Sequence, residues 1–218
     1  MKRIFPLLTA VLFIGVMAST AAAIQIGHDT QLDGDSTPTT TWSDAQVWDF
    51  EGDNPINDRP NIFQTIETNQ GAVVTGSKSG KYAAPYLDDT QYLSVPDEDY
   101  GSSGSFKVSL SETARYFGML WGSMDSYNTL TFWNQGTEVG SFTGDDVTKP
   151  ANGNQTNPAQ NRYVNFYDFE FDQFELASTN FAFEVDNIAV APVPEPGTFV
   201  LMGLGLAGLV GMRKKFRK

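Results

Sequence analysis

From Trp42 to Val190 the chain alternates apolar and polar residues in short runs, broken by Gly, Asn, Asp, Ser and Pro. A period of two puts successive side chains on opposite faces of a strand, so each run predicts a half-buried β-strand. Phe106, Val108 and Leu110 alternate with Lys107 and Ser109. Phe117, Met119 and Trp121 form one face of residues 115–122. Leu130 and Phe132 face one way in residues 129–133, and Thr129, Thr131 and Trp133 face the other. Asn134-Gln135-Gly136 turns the chain into residues 138–142, which Gly144-Asp145-Asp146 closes. Residues 163–166 and 174–177 add two more runs, and residues 181–190 form the last and longest. About nine strands are predicted, at a spacing that suits an all-β fold: an antiparallel β-sandwich of jelly-roll-like form. Residues 144–161, rich in Asn, Gln, Pro and Gly, read as the longest loop.

The last run breaks its own period. Phe181, Phe183 and Val185 share one phase, and Ile188 and Val190 continue in the opposite one. A slip of one residue turns every later side chain to the other face, so a β-bulge is expected at Asp186-Asn187.

The two ends follow other patterns. Lys2 and Arg3, an apolar stretch from Ile4 to Met17, and Ala21-Ala22-Ala23 read as a signal peptide over residues 1–23. Residues 24–41 are polar and predict a loose N-terminal arm that carries His28. Residues 42–191 form the expected ectodomain. The tail, residues 192–218, has three parts. Pro194-Glu195-Pro196 is stiff, because proline fixes φ. Residues 197–212 are apolar and uncharged, and Arg213, Lys214, Lys215, Arg217 and Lys218 close the chain. As a helix the apolar run would span roughly 24 Å, slightly less than a ~30 Å hydrocarbon core. The basic end should remain on the cytoplasmic side. The tail therefore reads as a short membrane anchor with a cytoplasmic stop.

Charge narrows the partners. Residues 24–193 hold seven basic and 25 acidic residues, a net of −18. Such a surface repels nucleic acid and anionic lipid and favours divalent cations. The absence of cysteine excludes disulfides, thiolate catalysis and Cys-ligated metals, and a single histidine excludes a multi-His metal site. Sixteen Phe in this length mark a folded domain rather than an acidic disordered tail. No nucleophile elbow, phosphate loop or dinucleotide fingerprint occurs, and no enzyme is expected. A carboxylate pair spaced for glycoside hydrolysis could arise by chance among so many acids, which leaves a glycoside hydrolase as the weakest reading.

Taken together, the Pro-Glu-Pro knuckle, the Gly- and Leu-rich run and the basic terminus resemble the PEP-CTERM sorting signal of Gram-negative bacteria. In that family an exosortase, a membrane-embedded sorting protease, handles the signal. The resemblance implies export by the general secretion machinery, transient anchoring in the inner membrane, and exosortase processing. It further implies residence at the cell surface or in an extracellular exopolysaccharide or biofilm matrix. Residues 115–128, 141–144, 161–166 and 183–188 are similar to runs in one family of PEP-CTERM surface ectodomains, a resemblance that implies no activity.

Phe50-Glu51 and Asp186-Asn187 resemble the pair that jelly-roll carbohydrate-binding modules place around a structural calcium. That resemblance implies Glu51, Asp53 and Asp186 as calcium ligands; the alternative is an exposed acidic loop beside a bulged strand. Trp133, with Tyr127 and Asn128 after Asp125, could offer aromatic faces and an amide to a sugar, whereas Trp121 shares a face with Phe117 and Met119 and belongs to the core. The leading reading is a non-catalytic exported surface or matrix protein. The second is a calcium-stabilised carbohydrate-binding module with a polysaccharide partner.

Overall fold

The computed structural model describes residues 23–28 and 39–194. The signal peptide through Ala22, Glu195, Pro196, the apolar run and the basic stop at Arg213, Lys214, Lys215, Arg217 and Lys218 lie outside the described residues. Among the described residues no helix is long and apolar enough to cross a membrane.

Among the described residues ten strands follow one another. They are β1 (Gln25–His28), β2 (Gln46–Trp48), β3 (Phe63–Asn69), β4 (Ala72–Thr75) and β5 (Gln91–Val95), then β6 (Gly104–Gly122), β7 (Asn128–Asn134), β8 (Thr137–Thr143), β9 (Arg162–Ser178) and β10 (Phe183–Pro192). All pairings are antiparallel and join into one sheet. The sheet folds over itself because β6, 19 residues long, and β9, 17 residues long, each run through both layers. A typical strand is about a third of that length.

The first part of β6 pairs with β3 and with the end of β9; its second part pairs with β10 and with the beginning of β9. Register slips between Ser109 and Ala114, and between Ala114 and Tyr116, separate the two parts. Unpaired residues of this kind bend and twist a strand. One layer thus contains β4-β5-β10-β6-β9-β1, with β2 beside β10; the other contains β3-β6-β9-β7-β8. This is the antiparallel β-sandwich that the alternation predicts. The runs at 106–110 and 115–122 are one strand, as are those at 163–166 and 174–177. Ser111-Glu112-Thr113, between the first two, carry neither glycine nor proline to turn the chain.

Aromatic rings from the two layers meet in the core. Phe117 lies 5.1 Å from Phe132 and 4.9 Å from Phe174, and Phe132 lies 5.6 Å from Phe166. Trp121 stacks on Phe183 at 4.6 Å, inside the core as its periodicity predicts. Each fully buried ring contributes roughly 2–3 kcal/mol through the apolar area it withdraws from water.

The register of β10 against β6 slips between Asp186 and Ala189, with Asn187 at φ 49°. This is the expected bulge. It lets Phe183, Val185, Ile188 and Val190 all reach the core despite their change of phase. Ala189 and Ala191 then join a smaller outer cluster with Tyr116, Leu120 and Tyr163. Residues 39–45 close over this cluster. Trp42 stacks on Tyr116 at 4.2 Å and 17°, and Thr40 Oγ1 lies 2.6 Å from the Tyr116 hydroxyl. The Tyr163 hydroxyl donates to Asn187 O at 2.9 Å, so the cluster also braces the bulge. Gly118 lies beneath: a Cβ there would collide with the Tyr116 hydroxyl.

Both described parts of the polar N-terminal stretch are structured. Its beginning is edge strand β1 on β9, and its end is a strap over the outer cluster. Within the predicted long loop, α1 (Gly144–Val147) opens on a capping interaction, Thr143 N and Oγ1 both donating to Asp146 Oδ2 at 2.8 Å.

Candidate functional site

A cleft of about 600 Å³ opens at one end of the sandwich. Three stretches wall it: residues 77–83 between β4 and β5, residues 123–127 between β6 and β7, and residues 152–155. Its floor is the start of β10 with Glu184, which is 2% exposed. Glu184 ties two walls together. Its Oε1 accepts from Ala83 N at 2.8 Å, and its Oε2 accepts from Ser123 Oγ at 2.9 Å. Burial pushes its pKa up to about 7, against the pull of these two donors, and the charge of Asp125 adds to the rise.

Asp125 stands on the next wall. Burial raises its pKa, and the Tyr127 hydroxyl partly offsets that by lying 2.7 Å from Oδ2. The same hydroxyl lies 2.7 Å from Phe181 O, so its one proton serves two acceptors. Gly153, at φ 68°, lets the third wall come up to this carboxylate: a Cβ there would sit 2.7 Å from both Asp125 oxygens. Asn152 and Gln155 add amides to the lining. Lys78 is paired with Glu98 at 2.6 Å, and the Lys81 ammonium lies 4.2 Å over the Phe181 ring. The cleft therefore presents carboxylate acceptors, amides, ammonium donors and an aromatic phenol, a set that matches a polyhydroxylated molecule. Both oxygens of Glu184 are engaged in holding loops.

A second pocket, of about 360 Å³, lies at the bulge and is lined by Thr39, Val47, Asp49, Glu51, Thr90, Asp186 and Asn187. Asp186 is 1% exposed, and its Oδ1 has no hydrogen-bond partner among the described residues. Burial, then the charges of Asp88, Glu51 and Asp49, push its pKa up to about 8. Glu51 Oε1 accepts from Gln91 N at 2.8 Å, which ties the acidic loop to β5. Among the described residues no three Asp, Glu or His side chains come together closely enough to hold a metal ion by themselves. An orphaned buried carboxylate oxygen in a field of acids nevertheless fits a hard cation, which completes its shell with backbone carbonyls and water. Of the residues named for calcium, Glu51 and Asp186 line this pocket. Asp53 is exposed and does not line it; Asp49 does, its Oδ1 accepting from Glu51 N at 3.2 Å in a turn about Phe50, φ 56°.

Residues 192–215 match the PEP-CTERM protein-sorting motif. The chain carries this sorting motif. The motif implies export, transient anchoring and exosortase processing of a surface protein, as the tail's three parts suggest. No curated protein sequence matches the chain. Among solved structures, the chain is similar to a CBM32 carbohydrate-binding module from a GH89 protein of Clostridium perfringens, at 11% identity and a TM-score of 0.31, covering 70% of this chain and 97% of that one. A CBM32 module from a family 31 glycoside hydrolase of Clostridium perfringens matches at 8% identity and a TM-score of 0.33, covering 62% of this chain and 99% of that one. The CBM32 of AlyQ, solved in complex with 4,5-unsaturated mannuronic acid, matches at 15% identity and a TM-score of 0.23, covering 58% of this chain and 98% of that one.

The structure separates the three residues singled out for sugar contact. Tyr127 lines the cleft. Asn128 does not: it is fully buried, and its Nδ2 donates to Ala182 O at 2.8 Å, bracing the wall from behind. Its expected exposure is corrected on that ground, since the turn ends one residue earlier and β7 begins at Asn128 itself. Trp133 lies at the far end of β7, roughly 20 Å away along an extended strand. It is half-buried beneath the Lys107 ammonium, 4.3 Å from its ring. Tyr127 and Trp133 therefore form no common platform. Glu184, Ser123, Lys78, Lys81, Asn152 and Gln155 escaped sequence reasoning. Only Glu184 left a signal, a carboxylate between Phe183 and Val185 in the last apolar run.

Proposed function

We propose that this protein is a non-catalytic surface protein whose sandwich binds a saccharide in the cleft at Glu184, and that a calcium ion at Asp186 holds the bulge. The observation that carries the saccharide reading is the lining of the cleft. Asp125, Asn152 and Gln155 offer acceptors and donors to ring hydroxyls, Tyr127 offers a face to the ring, and the lysine side chains close one rim. The loops are fastened to the sheet by buried hydrogen bonds, which reduces the ordering cost of binding. Release into an exopolysaccharide or biofilm matrix follows from the sorting motif on this reading, and the strong negative charge would keep the domain soluble there.

The orphaned Asp186 Oδ1 supports the calcium reading. Asp186 Oδ1 would bind the ion, with water and backbone carbonyls completing its shell and the charges of Glu51 and Asp49 lining the same pocket. When bound it supplies the positive charge that offsets a buried carboxylate.

The test is a glycan array on the mature protein, with and without calcium, followed by calorimetry on the best ligand. Asp125→Asn is expected to weaken that ligand about tenfold, because a charge-assisted hydrogen bond becomes a neutral one. No reducing ends should appear during incubation. Failure to bind any neutral or acidic glycan would remove the saccharide reading, and release of reducing ends would remove the non-catalytic one.

A further inference from the structure

The sorting motif begins inside the folded domain. It starts at residue 192, and β10 ends at Pro192, the register partner of Ala114 on β6. Beyond it Val193 N donates to Thr113 O at 2.9 Å. Arg115 Nε donates to Pro192 O at 3.2 Å. The Arg115 guanidinium is itself held by the Asp44 carboxylate and lies 5.0 Å over the Trp42 ring. No spacer separates Val193, the last of the described residues bonded to the sheet, from Pro194, the first proline of Pro-Glu-Pro.

Backbone donors make this fastening consequential. Proline has no N–H, so between residues 192 and 196 only Val193 and Glu195 can donate from the main chain. Proteins that grip an extended peptide do so largely through such backbone groups. The sheet occupies one of the two available donors, and Arg115 occupies the carbonyl beside it.

We propose that Thr113 and Arg115 are a built-in restraint on sorting: they hold residues 192–193 on the sheet, and the sorting protease engages the motif only when that end of β10 lets go. The inference rests on the reading that an exosortase processes this tail. The N-terminal strap takes part, because Asp44 and Trp42 hold the arginine that holds the tail. Folding of the strap thereby sets how readily the motif is presented.

The experiment follows conversion of the full-length precursor by pulse-chase in a host with its exosortase and in one lacking it. Inserting Gly-Ser-Gly-Ser between Val193 and Pro194 leaves the domain intact and supplies free chain; conversion is expected to run several-fold faster. Arg115→Ala should also accelerate it, about fivefold for the loss of one such bond. The double variant Ala114→Cys, Pro192→Cys joins two register partners, whose Cα spacing suits a disulfide, in a chain with no other cysteine. When oxidised it is expected to convert about tenfold more slowly than when reduced, a comparison that needs no second fold. Unchanged rates in the insertion variant and in the oxidised pair would overturn the restraint. A wild-type precursor that converts equally in both hosts would overturn the exosortase reading, and the inference with it.

Discussion

In cation-free buffer the domain is expected to lose stability as the pH rises from about 5 to about 8, and calcium is expected to restore part of it. Glu184 and Asp186 carry this prediction, since burial holds them at about 7 and about 8. Between the ordinary carboxylate pKa and these values the folded state keeps protons that the unfolded chain has released. Stability then falls with rising pH: the contribution is fully present below the unfolded pKa values and is lost as the pH passes through the folded ones. Asp125, also raised by burial, acts in the same direction. His28, lowered by burial and by the Arg162 charge, acts the other way inside the window and offsets part of the fall, whereas Asp146, held low by the Thr143 donors, also acts the other way but titrates below it. Each tenfold difference in proton affinity between the folded and unfolded states is worth about 1.4 kcal/mol, so the fall across the window should reach at least about 3 kcal/mol, on the order of 10 °C in Tm. Calcium at pH 8 should recover the Asp186 share, and Asp186→Asn should flatten the profile and abolish the calcium response. Melts with EDTA and with calcium at both pH values read this directly. A Tm that climbs between pH 5 and 8 without cation would contradict the buried-acid account. Absence of any calcium shift at pH 8 would end the calcium proposal.

Glu184→Ala is expected to cost about 3 kcal/mol, because it orphans two buried donors and leaves a hole at the cleft floor. Ala83 N and Ser123 Oγ lose their acceptor together, so the walls at 77–83 and 123–127 come loose and ligand binding should fall with stability. Glu184→Gln separates charge from hydrogen bonding. Its carbonyl can still accept from Ala83 N and its amide can donate to the Ser123 hydroxyl. It should match the wild type at pH 5 and exceed it at pH 8, where the wild-type carboxylate is ionised in a buried site. Urea titrations at the two pH values distinguish these outcomes, and equal loss in the Ala and Gln variants at both pH values would mean that side-chain volume alone matters at this position.

Much of the fold was legible from residues close together in sequence. Alternation revealed the strands because burial on one face imposes a period of two on the chain itself. The bulge at Asp186-Asn187 was legible for the same reason, since Val185 and Ile188 could not both reach one face without it. What alternation could not show was that β6 and β9 continue through both layers, because a bend inside a strand has no turn residues to mark it. The strap was hidden as well. Trp42 covers Tyr116 across more than seventy residues, and nothing in residues 39–45 announces that partner.

The candidate site was harder to read. Tyr127 was visible as an aromatic near a turn, but Lys81, Ser123, Asn152 and Glu184 come from four separate stretches that converge only when the sheet folds over. Asn128 looked as available as its neighbour and proved to be buried scaffolding. Asp53 was the expected companion of Glu51, yet it is exposed, and Asp49, drawn beside Glu51 by a turn at Phe50, lines the pocket instead.

By itself the sequence determined the all-β class, the sorting tail and the chemistry that is ruled out, because each depends on residue type and short-range spacing. Tertiary structure alone decided which of the 25 acids between residues 24 and 193 matter. A carboxylate acquires a shifted pKa and a role from the dielectric and the donors packed around it, and at Glu184 those donors come from residues 61 and 101 positions away.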